Sequence, residues 1–140
     1  MKTCPKMQKL ITAIAKKHRL DLAAWDTKDY LRLSNSEWMD LVIEAHGKNL
    51  VLVGHYHMQN GDQVADPDCL FFTGYGPWVP LELHQVLGHT LCATLTKDSS
   101  EVEKLSIRNM RDVGIFCEKW ATNIRRQGFL KDGEVRNDRG

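Results

Sequence analysis

The sequence predicts an α+β domain: an antiparallel sheet of about five strands packed against an N-terminal helix and a long C-terminal helix. Three observations carry this. Apolar residues recur at helical spacing near both ends of the chain. Between residues 38 and 45 the apolar period falls to two, the period of a strand. Asn60-Gly61 stands between two extended runs, which is the strongest short-range signal of a β-hairpin.

At 140 residues the chain is long enough to bury a core, and residues 1–130 read as one domain with 131–140 as a disordered tail. A hydrophobic content of 42% and a charged content of 26% are ordinary for a globular protein. The net charge of +1 gives no global field to draw in DNA or an anionic membrane. Cysteines 4, 69, 92 and 117 show no metal-knuckle spacing. They read as reduced thiols in a cytoplasmic protein, with Cys92 and Cys117 packed as small apolar groups.

Residues 5–18 form the first helix. Met7, Leu10, Ile11 and Ile14 fall on one face, Pro5 suits the first turn, and Lys16, Lys17, His18 and Arg19 complement the dipole at its end. Residues 20–28 connect to a short strand at 30–33. In residues 38–45, Met39, Leu41, Ile43 and Ala45 point one way and Trp38, Asp40, Val42 and Glu44 the other. Gly47-Lys48 closes a hairpin into residues 50–59. The register that sets Ala45 opposite Leu50, Ile43 opposite Leu52 and Met39 opposite Tyr56 collects apolar residues on one face. Around Asn60-Gly61 a type I′ turn pairs Gln59 with Asp62, His57 with Val64 and His55 with Asp66. Asp66-Pro67 ends regular pairing, and residues 69–73 make another short strand. Residues 78–87 fit a strand or a helical turn. Residues 89–96 read as a strand, and residues 101–127 as a long helix capped by Ser99 or Ser100. Gly128 is placed to terminate that helix, with Phe129 folding back on it.

The same register sets Asp40, His55 and Asp66 side by side on the second sheet face. An imidazole between carboxylates is the arrangement of a general base, so these three are the candidate catalytic residues. His55-x-His57, completed by Asp62 or Asp66, is the candidate set for zinc or another divalent ion, with His55, His57 and Asp62 the first choice. His84 and His89 are further ligand candidates whose strand placement the sequence leaves open. Gln59 and Asn60 extend the polar surface, and Tyr75 and Trp78 sit in a Gly/Pro loop suited to binding a ligand or partner. Each has a structural alternative: a cross-strand His–Asp pair is an ordinary sheet contact, and Trp78 can close the edge of the core.

The run His55-Tyr56-His57-Met58-Gln59-Asn60-Gly61-Asp62 resembles the signature of a family of small bacterial and phage domains of unknown function, common on mobile elements. That signature is His-Tyr, two residues, Gln-Asn-Gly-Asp, then Asp-Pro, here Asp66-Pro67. Trp78-Val79-Pro80, Leu87-Gly88, Trp120-Ala121-Thr122-Asn123 and Gln127-Gly128-Phe129 extend the likeness over residues 5–130. Met58 stands where an acidic residue is usual, and His57 where Tyr is common. The resemblance implies an accessory protein of a mobile element and supplies no reaction.

The expected function is therefore a non-enzymatic binding module acting on a host or element protein, an inhibitor of a host defence protein being one form. The alternative is a metal-dependent or acid–base enzyme built around His55. A third reading, nucleic-acid binding through Lys16, Lys17, Arg19, Arg125 and Arg126, competes with a solvated charged face.

Overall fold

The computed structural model describes residues 1–27 and 29–136. Helix α1 (Pro5–Lys17) buries Met7, Leu10, Ile11, Ile14 and Ala15, the stripe its periodicity predicts. Strands β1 (Tyr30–Ser34), β2 (Asp40–Gly47), β3 (Leu50–Gln59), β4 (Asp62–Phe72), β5 (Val79–Gln85) and β6 (Gly88–Leu91) follow. A separate ribbon, β7 (Ala93–Leu95) with β8 (Val102–Leu105), leads into α2 (Ile107–Arg126). The described chain closes with α3 (Phe129–Asp132) and β9 (Glu134–Val135). The fold is α+β. Among the described residues the main sheet has seven antiparallel strands in the order β6-β5-β4-β3-β2-β1-β9, more than the five expected.

Four expectations are corrected. The β2–β3 hairpin turns at Lys48-Asn49, with Asn49 at φ 60 and an irregularity between Ala45 and Gly47. The pairing is thereby shifted by one residue: Ala45 faces Val51, Ile43 faces Val53, Leu41 faces His55 and Asp40 faces Tyr56. A shift of one exchanges the faces of a strand, so the buried row is Leu41, Ile43, Ala45, Val51, Val53 and His55, while Leu52 and Tyr56 lie on the opposite face. Second, β4 does not end at Asp66-Pro67. That pair, joined by a cis peptide bond, forms an irregularity opposite His55, and pairing resumes at Gly54–Asp68.

Third, the long helix starts at Ile107, and its cap is Ser106, whose Oγ accepts from the Asn109 N–H at 3.2 Å. Val102–Leu105 is a strand. Fourth, residues 131–136 are structured. Val135 and Glu134 pair with Leu33 and Ser34, and the Arg136 N–H donates to the Arg32 carbonyl. Residues 137–140 of the expected tail lie outside the described residues. Residues 78–87, left between strand and helix, are strand β5 and the start of the turn into β6.

Three aromatic residues illustrate the packing of the core. Phe71 packs tilted against Trp78, with ring centroids 5.4 Å apart, and Phe129 folds in behind Gly128, which takes φ 78 to end α2. All four cysteines are buried, with Cys69 and Cys117 sulfurs 3.6 Å apart. Burial pushes the Cys69 thiol up, and that of Cys92 up to about 12. Among the described residues no helix is long and apolar enough to cross a membrane.

Candidate functional site

The helices pack on the face carrying Leu41, Val53 and Cys69, so the polar chemistry of the sheet collects on the other face. Two clusters form there, joined by Tyr56. The first surrounds Asp40. This carboxylate is buried, and its Oδ2 accepts from Arg32 Nε at 2.8 Å and from Arg136 Nη1 at 3.0 Å. Arg32 sits on β1, next to the edge strand β9, and Arg136 arrives from the segment after β9. Beside them a cleft of about 470 Å³ is bounded by Trp38, Met39, Tyr56, His57 and Met58.

The second cluster runs along Asp68, His84 and His89. Gly54 makes its start possible. A Cβ at Gly54 would lie 2.8 Å from the Asp68 Cβ and 2.8 Å from a ring carbon of Tyr56, so only glycine lets the Tyr56 ring lie across this point. The Tyr56 hydroxyl donates to Asp68 Oδ2 at 3.4 Å. Burial and the Asp68 charge push the Tyr56 hydroxyl up to about 12, so it stays protonated as the donor. Asp68 Oδ1 lies 2.8 Å from His84 Nδ1. The cross-strand pair His84 and His89 stacks with ring centroids 4.4 Å apart and 6° between planes, and His89 Nε2 lies 3.4 Å from Glu82. Among the described residues, Glu82, His84 and His89 bring one ligand atom each to within 4.8 Å of the others.

His55 belongs to neither cluster. It is buried on the core face with its ring 5.7 Å from Trp120 and 5.8 Å from Phe129. Burial pushes its imidazole below the ordinary 6.5, against an upward pull from the backbone of Asp40 and Met39.

The family model for a domain of unknown function, DUF6908, matches residues 8–130. The chain belongs to the DUF6908 family. No curated protein and no solved structure matches it.

In this DUF6908 chain the proposed catalytic trio is not brought together. Asp40 and His55 point to opposite faces, and Asp66 sits in the β4 irregularity, where its Oδ1 accepts from the Val86 N–H at 3.3 Å. The expected His55–Asp66 pairing is replaced by the two-residue irregularity. Nor do His55, His57 and Asp62 converge as a ligand set, because His55 is in the core and Asp62 is exposed at the turn. The hairpin tip itself is as expected: Gln59 pairs with Asp62, His57 with Val64, and Asn60 and Gly61 both take positive φ, at 54 and 85. Of these, His57 lines the cleft, while Gln59, Asn60 and Asp62 project into solvent.

Tyr75 is half exposed, stacks edge-on against Phe72, and its hydroxyl accepts from the Val102 N–H at 2.8 Å. Trp78 is a buried core residue. In the basic group, Lys17 donates from Nζ to the Leu130 and Lys131 carbonyls at 2.7 and 3.0 Å. Arg32, Asp68, Glu82 and Arg136 were not singled out by sequence. The available signal was the symmetric placement of His84 and His89 about Val86-Leu87, a turn pair without turn chemistry.

Proposed function

We propose that this chain is a non-enzymatic binding module that engages a protein partner through the cleft beside Asp40. The observation supporting this is the make-up of that surface. Trp38 and Met58 are 46% and 54% exposed on its rim, next to Met39, Tyr56 and two arginines. Tryptophan, tyrosine, methionine and arginine are the residue types enriched where proteins meet. The Asp40 ion pairs hold the floor of the cleft in one geometry, which lowers the ordering cost of association. The likeness of the His55–Asp62 run to domains of mobile elements supports the finer reading. On it, the module is a cytoplasmic accessory protein of a phage or conjugative element, and inhibition of a host defence protein is its most specific form.

The test is affinity capture from host lysate with the natural chain, Trp38→Ala and Met58→Glu in parallel. A defined protein recovered by the natural chain and lost from both folded variants is the expected result. Equal recovery by all three, or no specific protein, would count against the reading.

A second reading is favoured by one contact. Asp68 orients the half-exposed His84, which is the geometry of a general base, so an acid–base enzyme would act there and not at His55. Hydrolysis of a substrate panel that disappears in a folded His84→Gln variant would support it, and activity unchanged by that substitution would exclude it.

A further inference from the structure

The β5–β6 hairpin assembles a group of side chains that neither the binding reading nor the His55 motif uses. Val86-Leu87 forms a two-residue turn, so Gln85 pairs with Gly88 and His84 with His89. Residues directly opposite on an antiparallel pair present their side chains on one face. Glu82 lies two residues before His84 on the same strand, and period two places it on that face as well. The backbone thus delivers two imidazoles and one carboxylate to one patch, with their ligand atoms within 4.8 Å of one another.

We propose that Glu82, His84 and His89 bind a divalent transition-metal ion, with zinc as the best match. Two imidazole nitrogens and one carboxylate oxygen form the three-protein-ligand set of an open zinc site, in which water or a substrate takes the fourth position. The side chains are 30%, 45% and 50% exposed, so the ion has an entry path and the ligands have room to close from their present spacing. Zinc–nitrogen bonds of about 2.0–2.1 Å require the exposed His89 ring to tilt out of its parallel stack, because in-plane lone pairs of stacked rings do not meet at one ion, while His84 stays held by Asp68.

The surroundings carry the argument further than the three ligands do. A metal-binding histidine characteristically gives its other ring nitrogen to a carboxylate, which fixes its tautomer and raises its basicity. His84 has this arrangement: Nδ1 meets Asp68 at 2.8 Å, and the ring's Nε2 is left for the ion. Asp68 is itself held by the Tyr56 hydroxyl, and that ring position depends on Gly54. Tyr56 and Asp68 are thus positioning residues, and the chain Tyr56–Asp68–His84 is preorganised from the middle of the sheet outward. The carboxylates of Glu82 and Asp68 also offset the charge of a divalent ion. Without metal, the stacked imidazoles each keep a carboxylate partner, so the hairpin does not need the ion to fold.

The experiment is titration of the metal-stripped full chain with zinc chloride, followed calorimetrically and by competition with a chromophoric chelator. Cobalt(II) in place of zinc gives an absorption spectrum that reports coordination number. The expected result is one ion per chain. His84→Gln and His89→Gln should each remove tight binding, and Asp68→Asn should weaken it about 10- to 100-fold. His46→Gln, an exposed histidine of β2 outside the cluster, should change nothing. If a variant folds poorly, the cobalt spectrum of the natural chain still decides: a four-coordinate spectrum supports the site, and a six-coordinate, aquo-like one overturns it. Absence of stoichiometric zinc binding by the natural chain overturns the proposal, as does binding that survives the double substitution of His84 and His89.

Discussion

Replacing Gly54 by alanine tests whether the outer face is organised around the Tyr56 ring. Gly54 does not take a positive φ, so alanine has no backbone strain to overcome there. Considered alone, losing glycine's freedom in the unfolded chain would stabilise the protein by about 0.4–1 kcal/mol. The new Cβ, however, would stand 2.8 Å from the Asp68 Cβ and 2.8 Å from Tyr56 Cε2. Carbon atoms are comfortable at about 3.5–4.0 Å. The Tyr56 ring can rotate away, but the Asp68 Cβ is fixed to the backbone of the neighbouring strand. Overpacking of this kind costs about 1–3 kcal/mol, and loss of the Tyr56–Asp68 hydrogen bond adds about 1 kcal/mol. The net expectation is destabilisation of about 1–3 kcal/mol, measured by urea unfolding at constant m-value. A double-mutant cycle with Tyr56→Ala removes one of the two clashes, so the Gly54→Ala cost should shrink in that background. A Gly54→Ala protein as stable as the natural one, or more so, would refute the reasoning.

Asp40→Ala should destabilise the fold by about 3 kcal/mol or more in the same assay, because the Arg32 side chain, only 10% exposed, is left without its carboxylate; a loss below about 1 kcal/mol would contradict the geometry. Stability should also fall in acid through His55. Burial holds its folded pKa below the 6.5 of the unfolded chain, so the unfolded state takes up the proton first. Between 6.5 and that lower value stability rises with pH, at no more than about 1.4 kcal/mol per pH unit, and above 6.5 this group contributes no slope. His18 shifts in the same direction, so His55→Gln should reduce the acid-side slope without abolishing it. The four cysteines should resist a thiol reagent in the native protein and react on unfolding, since all four are buried and burial pushes the Cys69 and Cys92 thiols up, withholding the thiolate; rapid native labelling of Cys69 would place it elsewhere.

The parts of the fold legible in the sequence were those with local signals: the α1 stripe, the alternation of β2, the Asn60-Gly61 turn and the Gly128-Phe129 end of α2. The β2–β3 register was not legible because Leu50-Val51-Leu52-Val53 is apolar throughout. Such a run has no parity, so the choice fell to the turn, which lies one residue later than expected, at Lys48-Asn49, with an irregularity between Ala45 and Gly47. That single slip moved His55 from the polar face to the core and dissolved the Asp40–His55–Asp66 trio. Val102 and Leu105 fit a helical spacing as well as a strand, which is why β8 was absorbed into the long helix. The outer-face site was visible only in fragments. His84 and His89 stood out as residue types, but their alignment depends on a Val-Leu turn, and their link to Tyr56 depends on Gly54, whose role is spatial.

The two ends of the described chain are stitched to each other. Cys4 offers α1 no side-chain cap, and the helix instead takes the Glu118 carboxylate, which accepts from the Lys6 N–H at 3.0 Å across 112 residues. Lys17 reaches a comparable distance along the chain to the Leu130 carbonyl. During synthesis at about 5–20 residues per second, α1 therefore emerges roughly 5–20 s before the helix that caps it. For that interval Met7, Leu10, Ile11 and Ile14 have no α2 to lie against, and a short isolated helix is marginal in water. The newborn chain must therefore keep this apolar segment from other polypeptides until its own last third has been made.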